Sequence, residues 1–109
     1  MMSDDRLYLT HIAECIARIE EYTAQGRDHF MKSHLVQDAV IRNFEIIGEA
    51  VNQISDQTLD RTPDIPWHQI SAFRNVLIHG YMGINLERVW NVVENDLYNL
   101  KEAVNYLLK

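Results

Sequence analysis

An arginine and a histidine stand five residues apart in the segment RNVLIHGY, residues 74–81. A histidine side chain titrates near neutral pH, so it can take a proton from a ribose 2′-hydroxyl or give one to a leaving oxygen. An arginine can hold a phosphate and stabilise the charge that develops on it in the transition state. Arg74 and His79 therefore suit metal-independent cleavage of RNA, with a 2′,3′-cyclic phosphate as product.

On a regular helix, Arg74 and His79 would not point toward the same substrate. Asn75 and His79 share one face, where Asn75 can orient the imidazole or bind a phosphate oxygen. Arg74 and His79 point about 140° apart around the axis. Either the helix loosens at His79, which Gly80 favours, or a second subunit supplies the complementary residue. The apolar residues 76–78 are expected to anchor the helix in a bundle or a dimer seam. A helix-terminal histidine that binds last-turn carbonyls is the structural alternative.

Other catalytic patterns find no support in the sequence. Glu45 and Glu49 stand one helical turn apart, but the Glu-x-x-His spacing of di-metal bundles is absent, which favours a solvated or inter-helix ion-pair row with Arg42. There is no glycine-rich phosphate loop and no nucleophile elbow. The only cysteine, Cys15, lies in an apolar stretch and is predicted to be a buried, inert thiol. We therefore predict no metal site and no cofactor.

Length and composition predict one soluble globular domain over residues 1–109, with 47% hydrophobic and 24% charged residues. The acidic N-terminus lacks an apolar signal core and no run of 18 apolar residues occurs, so a cytoplasmic protein without membrane association is expected. The net charge of −6 weighs against broad, non-specific nucleic-acid binding. Residues 65–86 nevertheless contain no carboxylate, so the opening segment lies in a locally non-acidic window.

Apolar residues repeating at three and four predict an all-α fold. The predicted helices cover residues 4–25, 33–55, 67–79 and 85–108. The predicted connections are residues 26–32 and the loop 56–66, which carries both prolines. Three long helices and one short helix indicate an up-and-down helical bundle.

A few single residues add detail to this bundle. Ser33 and Asn85 are predicted N-caps. Gly48 in mid-helix costs about 1 kcal/mol relative to alanine, and a close approach by another helix would explain it. Tyr98 and Tyr106 lie off the main apolar stripe of the last helix. Because a domain this small has little room to bury them, a homodimer is favoured.

The segment from Arg74 to Tyr81 resembles the R-x4-H-x-Y signature of the HEPN superfamily, and specifically of the HepT-like toxins. The resemblance covers nearly the whole chain. Its further motifs are IGEA at 47–50 with Arg42 before it, DIPW at 64–67, and residues 84–90 at the start of the last helix. Several motifs in the right order are much more specific than the arginine–histidine spacing alone.

This resemblance implies a HEPN-like, all-helical homodimer in which two R-x4-H segments face a shared cleft. It implies a metal-independent endoribonuclease that cleaves RNA and acts as the toxin of a toxin–antitoxin pair, with an MNT-type nucleotidyltransferase as antitoxin. When the family's residue roles are transferred to the matching positions of this sequence, Arg74 and His79 are catalytic and Asn75 is an auxiliary polar residue. Tyr81 is the site where the antitoxin transfers AMP.

Silencing through Tyr81 has a physical basis. AMP on this tyrosine would place a phosphodiester charge within reach of Arg74, compete for its guanidinium and fill the cleft. The alternative function is a non-catalytic HEPN binding module, or a partner subunit of a nucleotidyltransferase. Degenerate HEPN members often lose the arginine or the histidine, whereas this chain keeps both.

Overall fold

The computed structural model describes residues 3–80 and 83–109. All regular structure in these residues is helical, which confirms the predicted all-α class. None of the described helices combines the length and the apolar character needed to cross a bilayer. The helices are α1 (Ser3–Tyr22), α2 (Arg27–Lys32), α3 (His34–Gln53), α4 (Asp56–Leu59), α5 (Trp67–Ile78), α6 (Leu86–Asn95) and α7 (Leu97–Leu108).

The long helices pack side by side around one core. Helix α1 packs against α3 and α7, and α3 lies between α1 and α5. Helix α5 packs mainly against α3, so it occupies the edge of the bundle. The largest fully buried side chains come from α1, α2, α3, α6 and α7: Leu9, Ile12, Ile16, Ile19, Phe30, Val40, Ile47, Val89, Val104 and Leu107.

Helix α1 shows how the apolar period builds this core. Its buried stripe repeats at three and four residues, so one face enters the interior along the whole helix. Burying each such side chain contributes about 1.5–3 kcal/mol. Cys15 lies on the same face and is 2% exposed, and burial raises the pKa of its thiol. The predicted buried thiol is therefore confirmed.

The predicted connection at 26–32 instead contains helix α2. Phe30 is buried, and its ring centroid lies 5.5 Å from that of Trp90. The buried amide of Gln37 donates to the carbonyl oxygens of Phe30 and Met31 at 2.9 and 3.1 Å, which satisfies the end of α2. A helix of six residues is too short for periodicity to reveal it.

The last predicted helix is divided at Asp96 into α6 and α7. Its start is as predicted, because Asn85 Oδ1 accepts a hydrogen bond from the backbone N–H of Arg88 at 3.2 Å. Asp96 has φ −114° and ψ −26°, away from regular helix. The apolar stripe continues through the break, so the pattern predicted one helix. Asn95 and Asp96 are both weak helix formers, which makes this the favoured point for an interruption.

The predicted loop at 56–66 begins with the short helix α4, which is tied to α1 through Asp5. This carboxylate is 2% exposed and accepts hydrogen bonds from Ser55 N–H, Ser55 Oγ and Thr58 Oγ1 at 3.0, 2.6 and 2.5 Å. Burial by itself raises the pKa of Asp5. The donated hydrogen bonds outweigh burial and hold that pKa below its usual value.

Candidate functional site

Arg74 is positioned by a close contact between α3 and α5. A Cβ atom added at Gly48 of α3 would lie 2.6 Å from the Cβ of Arg74 and 3.3 Å from the carbonyl oxygen of Ile70. No side chain fits in that space, so only glycine allows α5 to approach α3 this closely. The expected close approach at Gly48 is therefore confirmed, and its neighbour is the arginine singled out for chemistry.

The guanidinium of Arg74 is held from two sides. Its Nη2 lies 3.2 Å from Oε2 of Glu49 on α3, and its Nη1 donates to Oδ1 of Asn75 at 3.3 Å. The Nε atom is buried and has no hydrogen-bond partner among the described residues. The side chain is 29% exposed, so its far end reaches the surface. The arginine is thus oriented while part of it remains accessible.

His79 lies at the C-cap of α5, immediately after the last helical residue. Its φ of −88° and ψ of 4° depart from the helix, although its backbone N–H still donates to the carbonyl oxygen of Asn75 at 3.1 Å. The helix therefore loosens at His79, which was one of the two alternatives expected from the sequence. The side chains of His79 and Asn75 are both exposed. The imidazole is therefore accessible to a substrate.

Gly80, which directly follows His79, is tightly packed. A Cβ added at Gly80 would lie 2.7 Å from Cγ1 of Ile84, so a larger residue does not fit there. The backbone N–H of Gly83 donates to the carbonyl oxygen of Gly80 at 2.8 Å. Tyr81, the predicted modification site, lies outside the described residues.

The apolar residues between Arg74 and His79 divide between core and surface. Leu77 is 3% exposed and anchors α5 in the bundle, as expected. Val76 and Ile78 are 44% and 39% exposed, so the monomer does not bury them. They place an apolar surface beside the polar side chains of the same helix.

The predicted solvated or inter-helix ion-pair row is present in part, because one pair lies within α3 and the other joins α3 to α5. Arg42 pairs with Glu45, their closest atoms being 3.4 Å apart, whereas Glu49 pairs with Arg74 of α5. The spacing within α3 could not show this partner, which depends on how two helices meet. One feature of the sequence pointed to such a partner. Glu49 directly follows Gly48, the residue at which a close approach by another helix was expected.

A cleft between the helices does not include this group. Its volume is about 330 Å³, and Arg74, Asn75 and His79 are not in its lining. Arg88 lies over the ring of Phe73 in this cleft, 5.6 Å from the ring centroid. Its lining comes from α3, α5, α6, α7 and the segment before α5: Phe44, Ile47, Asp64, Ile65, Pro66, Gln69, Ile70, Phe73, Arg88, Asn91, Val92, Asp96, Leu97, Asn99 and Leu100.

The candidate site is therefore the end of α5, where an oriented arginine and an exposed histidine lie on one helix. Such a pair can bind a phosphate and transfer protons. Within residues 3–80 and 83–109, histidine, cysteine and carboxylate side chains form no group of three or more that could hold a metal ion.

Comparison with known proteins identifies the family of the chain. The family model described as "Ribonuclease HepT-like" matches residues 12–107. A relative from Thermococcus cleftensis, "Probable ribonuclease HepT", is 39% identical over 94% of each chain. The "Gamma-glutamylcyclotransferase and putative RNase MJ0434" of Methanocaldococcus jannaschii is 42% identical over 95% of this chain and 47% of its own length.

The chain thus spans about half the length of the Methanocaldococcus relative and almost all of the Thermococcus one. No solved structure matches it significantly. Because the family match runs from α1 to α7 and the relatives align over nearly the whole chain, this chain belongs to the HepT-like ribonuclease family.

Proposed function

We propose that this chain is a metal-independent endoribonuclease and the toxin of a toxin–antitoxin pair. The observation that carries the proposal is the end of α5, where Arg74 is anchored against α3 and His79 is exposed at the C-cap. Membership of the HepT-like ribonuclease family supports RNA as the substrate. The proposal treats residues 1–109 as one functional domain.

The proposed reaction is attack by a ribose 2′-oxygen on the adjacent phosphorus. A new bond forms between the 2′-oxygen and phosphorus, and the bond between phosphorus and the 5′-oxygen breaks. His79 takes the 2′-hydroxyl proton or supplies a proton to the leaving 5′-oxygen. Arg74 binds the non-bridging oxygens and stabilises their growing charge. Asn75 orients the arginine and contacts the substrate, and the product carries a 2′,3′-cyclic phosphate.

Two protons move in this reaction, so two copies of His79 in a shared cleft would serve as base and acid. A homodimer with facing α5 helices provides that arrangement. The edge position of α5 and the exposed Val76 and Ile78 support it, since apolar side chains beside a polar site are typical of interfaces. The site would then be complete only in the dimer.

Regulation is proposed to come from an MNT-type nucleotidyltransferase that adds AMP to Tyr81. Tyr81 is two residues after His79 in the sequence. A phosphodiester attached there would compete with substrate phosphate for Arg74, and the adenosine would fill the cleft. A gain of one AMP on coexpression with the enzyme, lost in Tyr81→Phe, would support this step. An unmodified but tight complex would contradict it.

The function is tested with purified protein, free of partner, and a structured RNA in EDTA. His79→Ala is compared with His68→Ala, because both histidines are exposed residues at the two ends of α5. We expect wild type and His68→Ala to cut the RNA and to slow growth, and His79→Ala to do neither. Identical RNA patterns and growth for all three proteins would overturn the proposal and favour a non-catalytic binding module.

A further inference from the structure

Glu49 contacts the proposed phosphate-binding arginine from a different helix. Its carboxylate lies 3.2 Å from Nη2 of Arg74, and its side chain is 64% exposed. The preceding residue, Gly48, lets the Cβ of the same arginine approach α3. Two consecutive residues of α3 therefore contact the two ends of the Arg74 side chain. Gly48 leaves room for its Cβ atom, and the Glu49 carboxylate pairs with its guanidinium.

Stability of the bundle gives no reason for this ion pair. An ion pair as exposed as Glu49–Arg74 contributes little to folding. The contact between α3 and α5 already has other supports. The rings of Phe44 and Phe73 pack with centroids 5.7 Å apart, and the Ser71 hydroxyl donates to Oδ1 of Asn52. The main effect of the Glu49 carboxylate is therefore on the orientation of the Arg74 guanidinium and not on the stability of the fold.

The contacts of Arg74 leave it able to bind a second anion. A guanidinium has five N–H donors in a rigid plane. Among the described residues, Nη1 donates one N–H to Asn75, and Nη2 lies at ion-pair distance from the Glu49 carboxylate. The guanidinium therefore keeps N–H groups on its terminal nitrogens, and a phosphate can accept hydrogen bonds from them. Holding the guanidinium at these two contacts sets the direction of its remaining N–H groups.

We infer that Glu49 is a positioning residue, which fixes the guanidinium of Arg74 in the orientation that meets the scissile phosphate. This inference rests on the proposed ribonuclease function. A long arginine side chain loses considerable rotamer freedom when it binds a phosphate. Glu49 and Asn75 remove that freedom before substrate arrives, so the transition state is stabilised without reorganisation.

A matched pair of substitutions tests the role of Glu49 in RNA cleavage. Glu49→Gln and Glu45→Gln each remove one charge from α3 one turn apart, and Glu45 pairs with Arg42 instead. We expect Glu49→Gln to lower kcat roughly 10- to 100-fold with little change in KM, because the guanidinium is misdirected. Glu45→Gln should stay close to wild type. Equal rates in the two variants, or a faster Glu49→Gln enzyme, would overturn the inference.

A second measurement separates this inference from the proposed function. The ¹⁵N–¹H signal of the Arg74 Nε–H, assigned by its loss in Arg74→Lys, is followed in the His79→Ala background. We expect Glu49→Gln to shift and broaden this signal and Glu45→Gln to leave it unchanged. An unchanged signal in both variants overturns the positioning role. If wild type fails to cleave RNA, the proposed function fails, and the signal still decides whether Glu49 orients Arg74.

Discussion

At the scale of single residues, the position of Arg74 depends on the absence of a side chain at Gly48. Glycine inside a helix costs about 1 kcal/mol relative to alanine. Here that cost is offset by the close contact of α5 with α3, which brings Arg74 to within reach of Glu49. A residue with no side chain thereby determines where a charged side chain can act.

Gly48→Ala is expected to displace α5 rather than stabilise α3. The new Cβ would meet the Cβ of Arg74 at 2.6 Å, and that atom cannot swing aside as a side-chain tip would. Overpacking destabilises the folded protein by about 1–3 kcal/mol, which exceeds the stabilisation of about 1 kcal/mol from the better helix propensity of alanine. We expect a net loss of roughly 1 kcal/mol in the free energy of unfolding, measured with urea, and a lower cleavage rate. A more stable protein with unchanged cleavage would contradict the close packing described.

The sequence was informative about single site residues but not about their partners. Arg74, Asn75 and His79 could be selected by type and spacing, and the end of α5 at His79 was predicted from Gly80. An inter-helix ion pair was among the expectations for Glu49, but its partner Arg74 was not identified, because it depends on the crossing of α3 and α5. Spacing within one helix shows only its own neighbours, such as Arg42 and Glu45.

At the scale of elements, helix starts were predictable where a side chain caps them. Ser33 Oγ accepts from the backbone N–H of Val36 at 3.2 Å, and Asn85 caps α6 in the same way. Short helices were not predictable, because α2 and α4 depend on buried contacts such as those of Phe30 and Thr58. The break at Asp96 was missed because the apolar period passes through it.

Asp5 ties α1 to α4, and its contribution to stability should depend on pH. Its pKa in the folded protein lies below the value of about 4 for an unfolded aspartate. The stabilisation is therefore complete above about pH 4 and is lost as pH falls through the folded-state pKa. At pH 7 we expect Asp5→Asn to lose about 1–3 kcal/mol, since buried donors of Ser55 and Thr58 lose a charged acceptor.

The measurement is urea denaturation of wild type and Asp5→Asn between pH 2 and pH 7. The difference in unfolding free energy should be constant in the neutral range and shrink at the acidic end. A difference that stays the same down to pH 2 would show that the Asp5 charge does not stabilise the contact between α1 and α4.

At the scale of the whole molecule, α5 lies at the edge of the bundle with part of its apolar surface uncovered. Val76 and Ile78 flank the buried Leu77 and remain exposed in the monomer. The net charge of −6 gives little general attraction for RNA. Affinity for substrate must then come from a local site, which two facing α5 helices would form from two copies of Arg74.

Removing the exposed apolar side chains of α5 is expected to dissociate the proposed dimer. In the Val76→Ser/Ile78→Ser variant, four apolar side chains are lost from a two-fold interface. We expect the dimer Kd to rise by at least about 100-fold. Light scattering coupled to size-exclusion chromatography measures the change. Leu35→Ser is the control, because Leu35 is 81% exposed on α3. A monomeric wild type, or an unaffected dimer in the α5 variant, would contradict the proposed interface.

The chemistry at the end of α5 is tested by the ends of the RNA fragments. A short RNA of defined sequence is incubated in EDTA with wild type, Arg74→Ala or His79→Ala, and the products are identified by mass spectrometry. Attack by the 2′-hydroxyl predicts fragments ending in a 2′,3′-cyclic phosphate with wild type, and intact RNA with either variant. Fragments with 3′-hydroxyl ends, or the same fragments from His79→Ala, would contradict the proposed roles of Arg74 and His79.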